Sequence, residues 1–223
     1  MAAVAAVVGS WKVVGPGFGW LSAGVTALFG GVGWLVGGGW VAGAGTATAI
    51  AGLVLARRAQ PAAIAMALSA LLYGAASVPD GGWLGTLTGA AVLGGVTGEM
   101  LLGHWYLIDP GLPRWALKRL AAFGGLGMAA DAILILTEAG LDWEGDVMGW
   151  AFAVLAVTTL VLMAAVWFAL NEPSYPGVMA ATGLSYLAIL TAIGAVVAGR
   201  ALIDDGSSLL SGADLLAGTI ALL

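Results

Sequence analysis

VMGWAFAVLAVTTLVLMAAVWFAL, residues 147–170, carries no charged side chain. A helix needs about 20 apolar residues to cross a hydrocarbon core of about 30 Å. This stretch meets that need alone, and it is too long for a strand. In lipid the backbone must satisfy its own hydrogen bonds, so an unbroken apolar run of this length reads as a helix. The acidic LDWEGD (141–146) and the polar NEPSYP (171–176) bound it.

Outward from this stretch the pattern recurs. Apolar runs extend over 17–38, 40–56, 61–78, 83–108, 119–139, 147–170 and 177–200. The expected fold is all-α: a polytopic transmembrane bundle of seven spans in a single domain, 1–223. Composition agrees. The chain is 61% hydrophobic and 9% charged, with a mean hydropathy of +1.04. A soluble domain carries about 25% charged residues. The bilayer is the solvent this composition fits.

Orientation follows from Lys and Arg, which favour the cytoplasmic side. With the N-terminus in the cytoplasm, Lys12, Arg57, Arg58, Arg114, Lys118 and Arg119 fall inside, and only Arg200 falls outside. Asp80, Asp142, Glu144, Asp146, Asp204 and Asp205 then lie outside. Tryptophan prefers the two interfaces. Trp34, Trp40, Trp83, Trp143 and Trp150 fall at the outer one and Trp11, Trp20, Trp105, Trp115 and Trp167 at the inner one. Seven crossings put the C-terminus outside. Residues 207–223 read as a short amphipathic tail, interfacial or docked on a partner, with Leu209, Leu216, Ile220 and Leu223 as its apolar stripe. The localisation expected is a cell membrane, multi-pass, of the prokaryotic inner or plasma type. The N-terminal MAAVAAVVGSWK is too short to span and lacks the basic start of a signal peptide.

Glycine is abundant, with 37 residues. At about 100° per residue, Gly85, Gly89 and Gly103 share one face of the fourth span, with Gly94 and Gly98 opposite. Small residues at this spacing let membrane helices approach closely. The second, fourth and sixth spans each open on Gly-Trp (Gly39-Trp40, Gly82-Trp83, Gly149-Trp150), a faint repeat of three hairpins after a leading helix.

Ionisable groups inside a span are costly and therefore candidates for function. Glu99 lies about nine residues from the inner end of its span, roughly 13 Å deep. Asp131 lies about twelve residues from the inner end of the next span, roughly 18 Å deep. The two spans form a hairpin, so the carboxyls are expected to face each other at similar depth and to be able to share a proton. Glu138 falls on the face of Asp131, and Tyr106 on that of Glu99. At the inner end, His104, Trp105, Arg114, Lys118 and Arg119 suit lipid headgroups or an interfacial ligand. For His104 a quinone or pigment site, or half of a haem site completed by a partner, also fits.

Several chemistries are excluded. The chain has no cysteine and one histidine, so Cys-ligated clusters, thiol catalysis and a haem held by two of its own histidines are impossible. The sequence requires no cofactor. It contains no phosphate-binding loop, nucleophile elbow, metal-ligand spacing or basic nucleic-acid patch. The leading expectation is a non-catalytic integral subunit of a larger membrane complex, structural or accessory, with an energy-transducing complex as one candidate. Its partners are the lipid bilayer and other membrane subunits. The competing expectation is a small proton-coupled transporter built on the Glu99–Asp131 pair.

Overall fold

The computed structural model describes residues 1–37, 39–78, 82–140 and 147–221, with side chains up to Ile203. The described residues are helical throughout their regular structure. In chain order they form α1 (Ala2–Trp11), α2 (Pro16–Leu35), α3 (Gly39–Val54), α4 (Ala59–Ala76), α5 (Trp83–Ile108), α6 (Arg114–Ala139), α7 (Val147–Ala169) and α8 (Tyr175–Ala221). Five of them, α2, α4, α6, α7 and the Tyr175–Ile203 part of α8, are long and apolar enough to cross a membrane. The other two expected spans fall short on different grounds. α3 has 16 residues. α5 has 26, but its glycines and Glu99 dilute its apolar character.

Three boundaries differ from the sequence reading. Residues 2–11 form a helix, with Val4 and Val8 buried. At 10 residues α1 rises only about 15 Å, and its place is set by packing rather than by hydropathy. α6 begins at Arg114, directly after Pro113 at the N-cap, five residues before the expected start. Proline fits a helix start, and Arg and Lys in the first turns can run their stems along apolar surface. α8 continues through Ala221 with no break at Asp204-Asp205-Gly206, since nothing there removes a backbone donor. The side chains of Asp204, Asp205 and the expected apolar stripe lie outside the described residues. So do Asp80, Asp142, Trp143, Glu144 and Asp146.

The helices form two four-helix bundles. In the first, α2 packs on α3, α3 on α4, and α4 returns to α1. In the second, α5 packs on α6, α6 on α7, α7 on α8, and α8 returns to α5. α1 lies between the bundles: Gly94 and Gly98 of α5 face Val4, and Gly9 faces Ala63 of α4. The sequence carries a matching repeat that the Gly-Trp openings conceal. VVGSWKVVGPGF (7–18) aligns without gaps on LLGHWYLIDPGL (101–112). Gly9/Gly103, Trp11/Trp105, Pro16/Pro110 and Gly17/Gly111 are identical. Each copy ends the first helix of its bundle and turns into the second.

Basic and aromatic side chains gather at one end of the molecule. Arg57 lies over Trp20, Lys118 over Trp167, and Arg119 over both Trp115 and Trp11. Trp11 meets Trp115 edge-on at 5.0 Å. Arg200, near the middle of the long α8, stands away from this end, beside Gly85 near the start of α5.

Candidate functional site

The second bundle holds the two carboxylates that are buried among the described residues, and the α5/α6 seam decides their relation. A Cβ on Gly95 would come within 2.5 Å of the Gly124 backbone, and one on Gly127 within 2.7 Å of the Val92 nitrogen. These contacts join backbone to backbone, so the seam is closed and its register is fixed. Gly95 lies opposite Gly124, Gly127 opposite Ala91 and Val92, and Thr88 opposite Asp131. Glu99 is then roughly 16 Å further along α5 than the residue level with Asp131. The carboxyls do not face each other. The earlier start of α6 accounts for part of the difference, because it puts Asp131 at a depth of roughly 25 Å from the basic end.

Each carboxyl has its own partners. Asp131 is fully buried on α6. Its Oδ1 accepts from the Thr88 hydroxyl at 2.5 Å and from Nη2 of Arg200 at 2.5 Å. The same Arg200 nitrogen donates to the Gly85 carbonyl at 2.6 Å. One ion pair thus ties α5, α6 and α8 together. Gly85 and Gly89 make room for it: a Cβ at either would meet the guanidinium at 3.4 and 3.2 Å. Arg200 therefore turns into the bundle from the far end. Asp131 Oδ2 and Arg200 Nη1 are buried without a hydrogen-bond partner among the described residues.

Glu99 is also fully buried. Its Oε2 is hydrogen-bonded to the hydroxyl of Ser185 on α8. Ser185 also contacts the Ala181 carbonyl at 2.8 Å. Glu99 Oε1 is buried without a hydrogen-bond partner among the described residues. Among the described residues no three His, Asp or Glu side chains converge as metal ligands would.

The remaining candidates separate by position. Tyr106 is buried near the basic end, where Arg114 Nε approaches its hydroxyl at 3.4 Å. Glu138 is exposed near the opposite end of α6. His104 is exposed, with Nδ1 3.3 Å from the Tyr186 hydroxyl of α8. Trp105 packs edge-on against Phe18 of α2 and fills the space over Gly17. Arg114 donates to the carbonyls of Glu172, Pro173 and Ser174, just past the end of α7. There it ties the start of α6 to the turn between α7 and α8. Lys118 donates to Asn171 Oδ1 at 2.6 Å. Arg119 is held 4.6 Å over the Trp115 ring.

Sequence reading passed over Ser185 and Thr88 and took Arg200 only as a topology marker. A serine or threonine in an apolar helix is common and gives no signal by itself. A lone arginine at the end of a span, near a helix whose facing positions are Gly85 and Gly89, was the available clue. Comparison of the chain with protein-family models, with curated proteins and with solved structures finds no match.

Proposed function

We propose that the chain is an integral subunit of a larger membrane complex, with a structural or accessory role. The observation that supports this is the use of buried charge as fastening. Asp131 and Arg200 pair across three helices, over a seam closed by glycine backbones. Such a seam leaves no room for a ligand path between α5 and α6. On this reading α2 to α8 are seven crossings packed through glycine, and the basic end faces the cytoplasm of a prokaryotic inner or plasma membrane. Purification from the native host in mild detergent tests it. A defined larger assembly that contains the chain is expected, and a stable monodisperse monomer with no co-purifying subunit would overturn the reading.

A second reading rests on Glu99. Its free Oε1, buried inside the bundle, suits a proton-coupled transporter that uses this carboxyl alone rather than a pair. Proton flux into liposomes containing the purified chain should then be lost in Glu99→Gln. Equal flux in both proteins, or none above empty liposomes, would end it.

A further inference from the structure

The Ser185 hydroxyl carries one hydrogen and touches two acceptors, the Ala181 carbonyl at 2.8 Å and Glu99 Oε2. An ionised carboxylate is acceptor-only. With Glu99 ionised, one of these close contacts would set lone pair against lone pair. A hydroxyl bonded to the carbonyl four residues back is the habit of this molecule. Ser22, Thr26, Thr46, Thr159 and Thr182 all make that bond at 2.8–3.0 Å. The Ser185 hydrogen belongs there as well, which leaves Ser185 Oγ to accept.

We propose that Glu99 and Ser185 form a proton-binding site, in which Glu99 resides as the neutral acid and donates to Ser185 Oγ while Ser185 donates to the Ala181 carbonyl. Every close contact is then a hydrogen bond with its own hydrogen. Asp131 is the counter-case. The Thr88 hydroxyl stands 3.1 and 3.2 Å from its helix carbonyls and 2.5 Å from Asp131. Its hydrogen therefore points to the carboxylate that pairs with Arg200.

The charged and titratable groups around Glu99 agree with a neutral acid. α1, α2, α4, α6 and α8 pack against α5; α2 carries no titratable side chain, and Tyr73 of α4 turns to Thr46. On α6, Arg119 is stacked on Trp115 and Trp11, Arg114 and Lys118 serve the end of α7, and Asp131 is paired. On α8, Tyr186 turns to His104 and Arg200 to Asp131. On α5 itself Tyr106 meets Arg114. α1 contributes Lys12 at its C-cap and the Met1 nitrogen beside Gly94. Among the described residues none forms an ion pair with Glu99, and an uncompensated charge in this setting is costly.

Infrared spectroscopy of the full chain in liposomes at neutral pH tests the site. A protonated-carboxyl C=O band sensitive to deuteration is expected, shifted when the protein carries isotope-labelled glutamate. It should vanish in Glu99→Gln, persist in Asp131→Asn and move in Ser185→Ala. Labelled wild type without an acid band overturns the proposal even if Glu99→Gln fails to fold. A band unchanged in folded Glu99→Gln does the same. The site deepens the second reading of function, yet the two fail separately. An acid band without proton flux ends the transporter and leaves the site, and Glu99-dependent flux without an acid band does the reverse.

Discussion

Ala5 and Glu99 each stand two residues before their copy of the repeated segment and correspond by the same offset of 94 residues. Ala5 is buried against Met66 in the small apolar cluster of the first bundle. Glu99 is buried against Ser185 in the second. The serines also correspond, each following a leucine well after a proline near the start of the fourth helix (Pro61 and Leu68-Ser69, Pro176 and Leu184-Ser185). Ser69 donates to the Gly45 carbonyl of α3 at 2.8 Å, whereas Ser185 meets a carboxyl. In the first bundle, Thr46 and the Tyr73 hydroxyl, 3.0 Å apart, supply the other polar link between α3 and α4. One architecture is thus held together in two ways. Neutral side-chain bonds suffice for the first bundle, and the second adds a buried ion pair and a buried acid. Among the described residues the first bundle packs without buried ionisable side chains, so the fastening by Asp131 and Arg200 and the acid at Glu99 are additions particular to the second.

The contrast is broken most severely at Arg200. Arg200→Ala strands a fully buried Asp131, and removal of one partner of a buried pair costs about 3–5 kcal/mol. Because Arg200 is partly exposed, the lower end, about 3 kcal/mol, is expected. Asp131→Leu combined with Arg200→Met should recover most of this. Unfolding in detergent, followed by near-ultraviolet circular dichroism, measures both. If Arg200→Ala unfolds with the wild type, the ion pair is not what fastens the second bundle.

Gly95→Ala comes next. Its methyl meets backbone rather than a mobile side chain, so α5 and α6 must separate, at a cost of about 1–3 kcal/mol. Gly24 in α2 has nothing within 4 Å of an added Cβ and serves as the control. Gly24→Ala should stay within about 1 kcal/mol of the wild type and tend towards stabilisation, since alanine is the better helix former. Equal losses at the two glycines would remove the argument from close approach.

The serines give a finer comparison. A side-chain hydrogen bond between membrane helices averages about 0.6 kcal/mol, with a maximum of about 1.7. Ser69→Ala should lie near that average, and Ser185→Ala near the maximum, because it leaves both Glu99 oxygens without a partner. Thermal midpoints of the two variants under one detergent decide the order. The smallest effect is expected at Glu138, which is exposed. Glu138→Gln should change stability by no more than about 0.5 kcal/mol.

The helical class and the apolar character of the chain were legible in the sequence, because both follow from composition and from the length of uninterrupted apolar runs, which any bilayer reads in the same way. The residue choice at Glu99 and Asp131 was legible too, since an acid within an apolar run stands out whatever its neighbours are. Their relation was not. It depends on the register of α5 against α6, and that register is set by Gly95, Gly124 and Gly127 meeting backbone to backbone. A shift of a few residues in the start of one helix moves its side chains by many ångströms along the other, and hydropathy is blind to such shifts. α1 escaped notice for the same reason, since a short helix earns its place only through the neighbours that bury Val4 and Val8. The sequence determined which groups would be costly to bury, and the tertiary structure alone decided which partner would meet each of them.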